Sequence, residues 1–177
     1  MSTHCLEPAT IVCEDERWNT LSPIEGKVQE AAQTTLAYHA IHGRLQSPKD
    51  LNAHITITLA DNATVAELNH QWRGKTGPTN VLSFPIDASY PTPAEGGRTL
   101  GDIILAYETV LCESEEQGKR FDDHVMHLVV HGILHLLGYD HKTEHDAEEM
   151  EEHERRILAQ LGLSDPYNTP HSECDSQ

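Results

Sequence analysis

The chain has 177 residues, 37% of them hydrophobic, which suits one domain with a sizeable core and leaves little room for two. Lysine and arginine number 12 against 29 aspartates and glutamates, a formal net charge of -17, which argues against broad attraction to nucleic-acid phosphates and leaves room for a local basic or metal-centred site. No apolar run approaches the roughly 20 residues of a membrane crossing, and the opening MSTHCLEPAT lacks the basic start and apolar middle of a secretory signal, so a cytoplasmic protein is expected.

Thr10 to Cys13 reads as a short strand followed by a polar turn, EDERWNT. From Ser22 to His42 apolar residues recur with a helical period at Ile24, Val28, Ala31, Ala32, Leu36 and Ala40, with Pro23 suited to the first turn. This predicts a helix covering one side of a sheet. LNAHITITL then alternates, Ile55, Ile57 and Leu59 on one face and Thr56 and Thr58 on the other, as a half-buried strand should. Thr64 and Glu67 stand at capping-box spacing, and Val65, Leu68 and Trp72 form the stripe of a short helix ending near Gly74. After a turn at Gly77 and Pro78, NVLSF is a strand halted by Pro85. Asp87 to Thr99, rich in proline and glycine, is expected to be an exposed loop. GDIILAY, from Gly101, is a further strand that passes into a polar helix near Glu108.

Asp122 to Leu137, DDHVMHLVVHGILHLL, is apolar almost all round, which predicts a central buried helix ended by Gly138. A last helix from Thr143 to Leu161 packs through Ala147, Met150, Ile157 and Leu161. Its stretch TEHDAEEMEEHERR, with seven carboxylates against two arginines, reads as a solvated face. The fold class predicted is α+β: a small mixed sheet of about four strands packed with helices, in a single domain over residues 1–165, with 166–177 as a flexible tail. Cys5, Cys13, Cys112 and Cys174 are scattered, form no ligand pair, and read as reduced thiols.

The polar residues of the buried helix carry the chemistry. In HGILHLLGYDH, His131 and His135 are four apart and project from one face, and Gly138 can take a turn that returns His141 to the same point. Three neutral imidazoles with a fourth position open to water form a catalytic zinc arrangement, one ion per chain. Without a metal, three polar rings on and just beyond an otherwise apolar helix would have to find buried partners. The spacing also matches metzincin peptidases, but the general-base glutamate that follows their first histidine is Gly132 here, which disfavours peptide hydrolysis. His124 and His127 share the face of His131 and read either as groups supporting the ligands or as the polar end of a buried helix. Asp140, beside His141, either orients a ligand or forms the turn.

HGILHLLGYDH closely resembles the H-G-x-L-H-L-x-G-Y-D-H signature of the bacterial YbeY-type endoribonucleases. RGKTGPTNVLSFP from Arg73 to Pro85, LGDIILAY from Leu100, EEM ending at Met150 and ILAQLG from Ile157 resemble further segments of that family, in the same order. The resemblance implies an α+β fold with zinc on His131, His135 and His141. It also implies cleavage of single-stranded RNA, maturation of the 3′ end of small-subunit (16S) ribosomal RNA, and a part in late ribosome quality control. By the same resemblance Arg73 matches the family's arginine assigned to catalysis. Many members carry an acidic-basic pair where this chain has Thr76 and Gly77, so the positive rim near Arg73 is thinner here.

On this reading zinc would polarise a phosphoryl oxygen and lower the pKa of water, while Arg73 offsets the charge that grows on the phosphate. Lys75, Asn80 and Ser83 are candidates for substrate binding. A nucleophilic Ser83 is disfavoured because no G-x-S-x-G surrounds it and the histidines are committed to metal. The expected partners are ribosomal RNA, the small ribosomal subunit, and a ribosomal or assembly protein that supplies the affinity an acidic chain lacks. Two other readings use the same ligands: a noncatalytic ribosome-assembly factor with a structural zinc, and a zinc hydrolase of another class such as a peptidase.

Overall fold

The computed structural model of the protein describes residues 7–45, 50–87, 89 and 97–168. Its strands are β1 (Ala9–Cys13), β2 (His54–Ala60), β3 (Val81–Pro85) and β4 (Thr99–Ala106), and its helices α1 (Ile24–His42), α2 (Asn62–Arg73), α3 (Tyr107–Glu116), α4 (Phe121–Leu136) and α5 (Glu144–Gln160). The sheet runs β1-β2-β4-β3, with β1, β2 and β4 parallel and β3 antiparallel to β4 on the outer edge. The mixed sheet and α+β class therefore stand as the sequence predicts. Of the expected Asp87–Thr99 loop, Asp87 and Ser89 are exposed; residues 88 and 90–96 lie outside the described residues, as do Cys5 and Cys174.

Alternation along β2 sends Ile55, Ile57 and Leu59 into the main core, where α1 and α4 cover that face. α4 is the middle of this layer: Val125, Val129, Val130, Ile133 and Leu134 are buried around its circumference, against α1, the sheet and α5. A smaller cluster, Ala60, Val65, Leu82 and Ala106 with Leu68 beside them, seats α2 on the opposite face. Gly101 lies in β4 opposite Pro85, at φ +145°, and a Cβ there would stand 2.2 Å from the Phe84 carbonyl oxygen. Gly101→Ala combines a backbone conformation closed to alanine with a backbone collision. It should cost on the order of 2 kcal/mol or more in a denaturant melt.

Three local expectations give way. Trp18, expected in a polar turn, sits in a single 3-10 turn (Glu16–Asn19) and is wholly buried; its indole donates to the Ala60 carbonyl at 2.9 Å and its ring meets Tyr107 edge-on. The cap of α2 is Asp61 rather than Thr64, because the Asp61 carboxylate accepts the Thr64 N–H at 2.8 Å and the helix starts three residues earlier. Trp72 leaves the expected α2 stripe and is 67% exposed, while Val65 and Asn69 are the buried residues of the helix.

His39 on α1 is wholly buried between Tyr38, Tyr139 and His153, and neither ring nitrogen has a hydrogen-bond partner. Burial, reinforced by neighbouring cationic groups, brings its pKa down to about 4. The unfolded chain takes up this proton near pH 6.5, so stability from a neutral His39 is full above that pH and is lost as pH falls toward 4. Urea midpoints should fall more steeply over this window in the wild type than in His39→Phe; parallel slopes would refute the assignment.

Candidate active site

Residues of α4, β3 and the turn after α4 meet in an open cleft of about 650 Å³. His131 and His135 stand one helical turn apart on α4. Gly138, at φ +88°, closes the helix, with the Tyr139 N–H donating to the Leu134 carbonyl at 3.0 Å, and the chain returns His141 alongside. One ring nitrogen from each of the three histidines lies within 4.8 Å of the others, the spread a single ion can gather.

The surroundings decide which nitrogens face inward. His131 Nδ1 meets Glu154 Oε1 at 2.5 Å and His135 Nδ1 meets the Tyr139 carbonyl oxygen at 3.0 Å. A carboxylate and a carbonyl only accept, so both Nδ1 atoms must carry the proton. That leaves His131 Nε2 and His135 Nε2 as two bare lone pairs facing each other across 3.0 Å. Two acceptors at that distance repel unless a proton or a metal ion lies between them, and three such nitrogens within 4.8 Å of one another fit a metal ion. Burial, and the proximity of His131 and His141, which disfavours a further positive charge in the cluster, hold the His135 pKa down and keep the ring neutral and ready to ligate.

Arg73, Asn80, Ser83, His131, His135, Asp140 and His141 all line this cleft, as does Lys142, which the sequence did not single out. Arg73, at the exposed end of α2, donates to the Ser83 carbonyl at 3.1 Å, which leans its guanidinium over β3 across from the histidines. The side chains of Asn80 and Ser83 are spent on the protein: Asn80 donates to Glu113 at 3.1 Å and accepts from the Val81 N–H, and the Ser83 hydroxyl donates to the Gly132 carbonyl at 3.3 Å. Lys75 is exposed and does not line the cleft. Asp140 accepts the His141 N–H at 2.8 Å and pairs with Lys142 at 2.9 Å; the Lys142 contact holds its pKa low, so it steadies the turn.

His127 lines an adjoining cavity of about 320 Å³ together with His131, Asn80 and Lys119. Its Nε2 donates to Glu154 Oε2 at 3.2 Å. Glu154, which the charge pattern of TEHDAEEMEEHERR places on a solvated face, is instead wholly buried. Its spacing from Met150, Ile157 and Leu158, the other buried residues of α5, was the available signal. Burial alone would raise its pKa, but hydrogen bonds from His127 and His131 outweigh that and hold it at about 2. The stretch expected to be flexible from residue 166 begins packed against this site through Pro166 and Tyr167; residues 169–177 lie outside the described residues.

Fold and site together define a class: small α+β proteins with a three-histidine cradle able to hold a metal ion in an open cleft. The family model described as Endoribonuclease YbeY matches residues 15–162. The chain belongs to that family and is an endoribonuclease, a hydrolase acting on RNA. It is 46% identical over 162 residues to the Endoribonuclease YbeY of Rhodopseudomonas palustris strain BisA53, covering 90% of each chain. It is 47% identical over 152 residues to that of Parvibaculum lavamentivorans, covering 82% of each. With the Bartonella quintana enzyme it shares 41% over 160 residues, 89% of this chain and 94% of that one. A solution structure from Thermotoga maritima has the same fold at a TM-score of 0.53 and 22% identity, over 91% of this chain and 99% of that one.

Proposed function

We propose that the chain is a zinc-dependent, single-strand-specific endoribonuclease that matures the 3′ end of 16S ribosomal RNA and acts late in ribosome quality control. The observation that carries this reading is the convergence of ring nitrogens from His131, His135 and His141 across the cleft from Arg73. Zinc bound by His131, His135 and His141 would polarise a phosphoryl oxygen and lower the pKa of a water. Arg73, held over β3 by the Ser83 carbonyl, grips a phosphate with two parallel N–H donors and offsets the charge that builds as the bond breaks. Lys142 stands at the rim paired with Asp140, so Arg73 is the cation at the cleft without a carboxylate partner among the described contacts. Asn80 and Ser83 shape the floor through the backbone they brace rather than through free side chains.

The arrangement counts against the two other readings. A structural zinc would be closed by a fourth protein ligand, and here three histidines face an open cleft. The position of a peptidase's general base is Gly132, where a Cβ would already lie 3.1 Å from Ile103 and 3.2 Å from Ser83 Oγ. Asp140, the carboxylate among the described cleft-lining residues, is engaged by Lys142.

We place the enzyme in the cytoplasm on the small ribosomal subunit; no helix among the described residues is long and apolar enough to cross a membrane. With a charge of -17, a ribosomal or assembly protein would supply much of the affinity for the particle. The test is cleavage of a 16S precursor with an unprocessed 3′ end, free and within small subunits, by zinc-loaded and chelator-stripped protein. Cleavage of single-stranded RNA that follows zinc content is the expected result. Zinc-loaded protein that leaves both substrates intact would overturn the reading.

A further inference from the structure

Glu154 has no part of its side chain in contact with solvent, and the α5 face it occupies is otherwise apolar, through Met150, Ile157 and Leu158. A leucine there would continue the stripe without the cost of desolvating a carboxylate. The charge is instead met on both oxygens: Oε1 accepts a hydrogen bond from His131 Nδ1–H, and Oε2 accepts from His127 Nε2 and from the Tyr167 hydroxyl. Tyr167 reaches this point from beyond α5. The chain turns there, with the Tyr167 N–H on Asp165 Oδ1 at 2.9 Å, while Arg155 pairs with Asp165 at 3.4 Å and lies over the tyrosine ring.

These contacts form one line from the segment after α5 to the cleft. The carboxylate fixes which nitrogen of His131 carries the proton and how the ring is turned, and the tyrosine and His127 fix the carboxylate. We propose that Glu154 is a positioning residue of the metal centre, and that Tyr167 and His127 lock it in the orientation that keeps His131 Nε2 turned toward the ion. This rests on the reading of His131, His135 and His141 as metal ligands.

The test compares the full chain with Glu154→Gln and Tyr167→Phe. Zinc affinity is measured by chelator competition, and the visible spectrum of the cobalt(II)-loaded protein is recorded for each. Glu154→Gln should lose about 10–100-fold in zinc affinity. Tyr167→Phe should lose less, in the same direction, with an altered cobalt spectrum; the metal-free protein should also melt somewhat lower, since the buried carboxylate loses one of its donors, so the spectrum is the readout that a purely structural role would not move. Should Glu154→Gln fail to fold, Tyr167→Phe alone decides, because its ring can stay in place against Arg155. Metal-binding wild type with a Tyr167→Phe protein of equal affinity and identical spectrum would overturn the proposal alone. A wild type that holds neither zinc nor cobalt would overturn the metal reading and this proposal with it.

Discussion

His135→Ala is expected to lose zinc and RNA cleavage together while the protein stays folded. The ring contributes one of three converging nitrogens, and its other nitrogen is tied only to the Tyr139 carbonyl, which the open cleft can hydrate once the ring is gone. Two histidines hold zinc poorly, so metal content by atomic absorption should fall far below one ion per chain and cleavage should drop to background. His131→Ala is the less clean experiment, because it strips a partner from the buried Glu154 and adds the cost of an under-satisfied charge to the loss of a ligand. A His135→Ala protein that still cleaves at the wild-type rate would remove the metal from the mechanism.

Arg73→Ala separates the other half of the chemistry. The side chain is exposed, and its one described hydrogen bond is to the Ser83 carbonyl, so the fold and the zinc content should be unchanged. Turnover should fall by about 10²–10³-fold, the usual loss when a donor to developing transition-state charge is removed. Arg73→Lys should recover only part of it, since an ammonium presents a point charge where the guanidinium presents a fork. A loss of zinc along with activity would mean that Arg73 serves the structure of the centre rather than the phosphate.

Much of this was readable from the chain, and the reasons differ by element. Periodicity exposed β2 and α4 because each buries a regular pattern, at period two for Ile55, Ile57 and Leu59 and nearly all round for α4. The histidine set was legible because helix geometry fixes where residues four apart project, and Gly138 allows the return. Trp18 was not, since a lone aromatic between polar neighbours shows no period, and its burial depends on Tyr107 and Ala60, far along the sequence. The Tyr139 carbonyl that orients His135 is main chain and leaves no mark in the sequence at all. Glu154 was hidden by company: six other carboxylates in the same stretch do face outward or half outward, and only its place on the stripe of Met150 and Ile157 set it apart.

The edge position of β3 bears on how the protein survives at high concentration. An outer strand offers a row of free amide and carbonyl groups on which another chain can pair, and this one carries Val81, Leu82 and Phe84. It is five residues long, Pro85 removes a donor at its end, and the Ser83 carbonyl is already taken by Arg73. The arginine assigned to the phosphate thus also caps a docking strip. Variants at position 73 made to probe catalysis should be checked for self-association before a lost rate is attributed to chemistry.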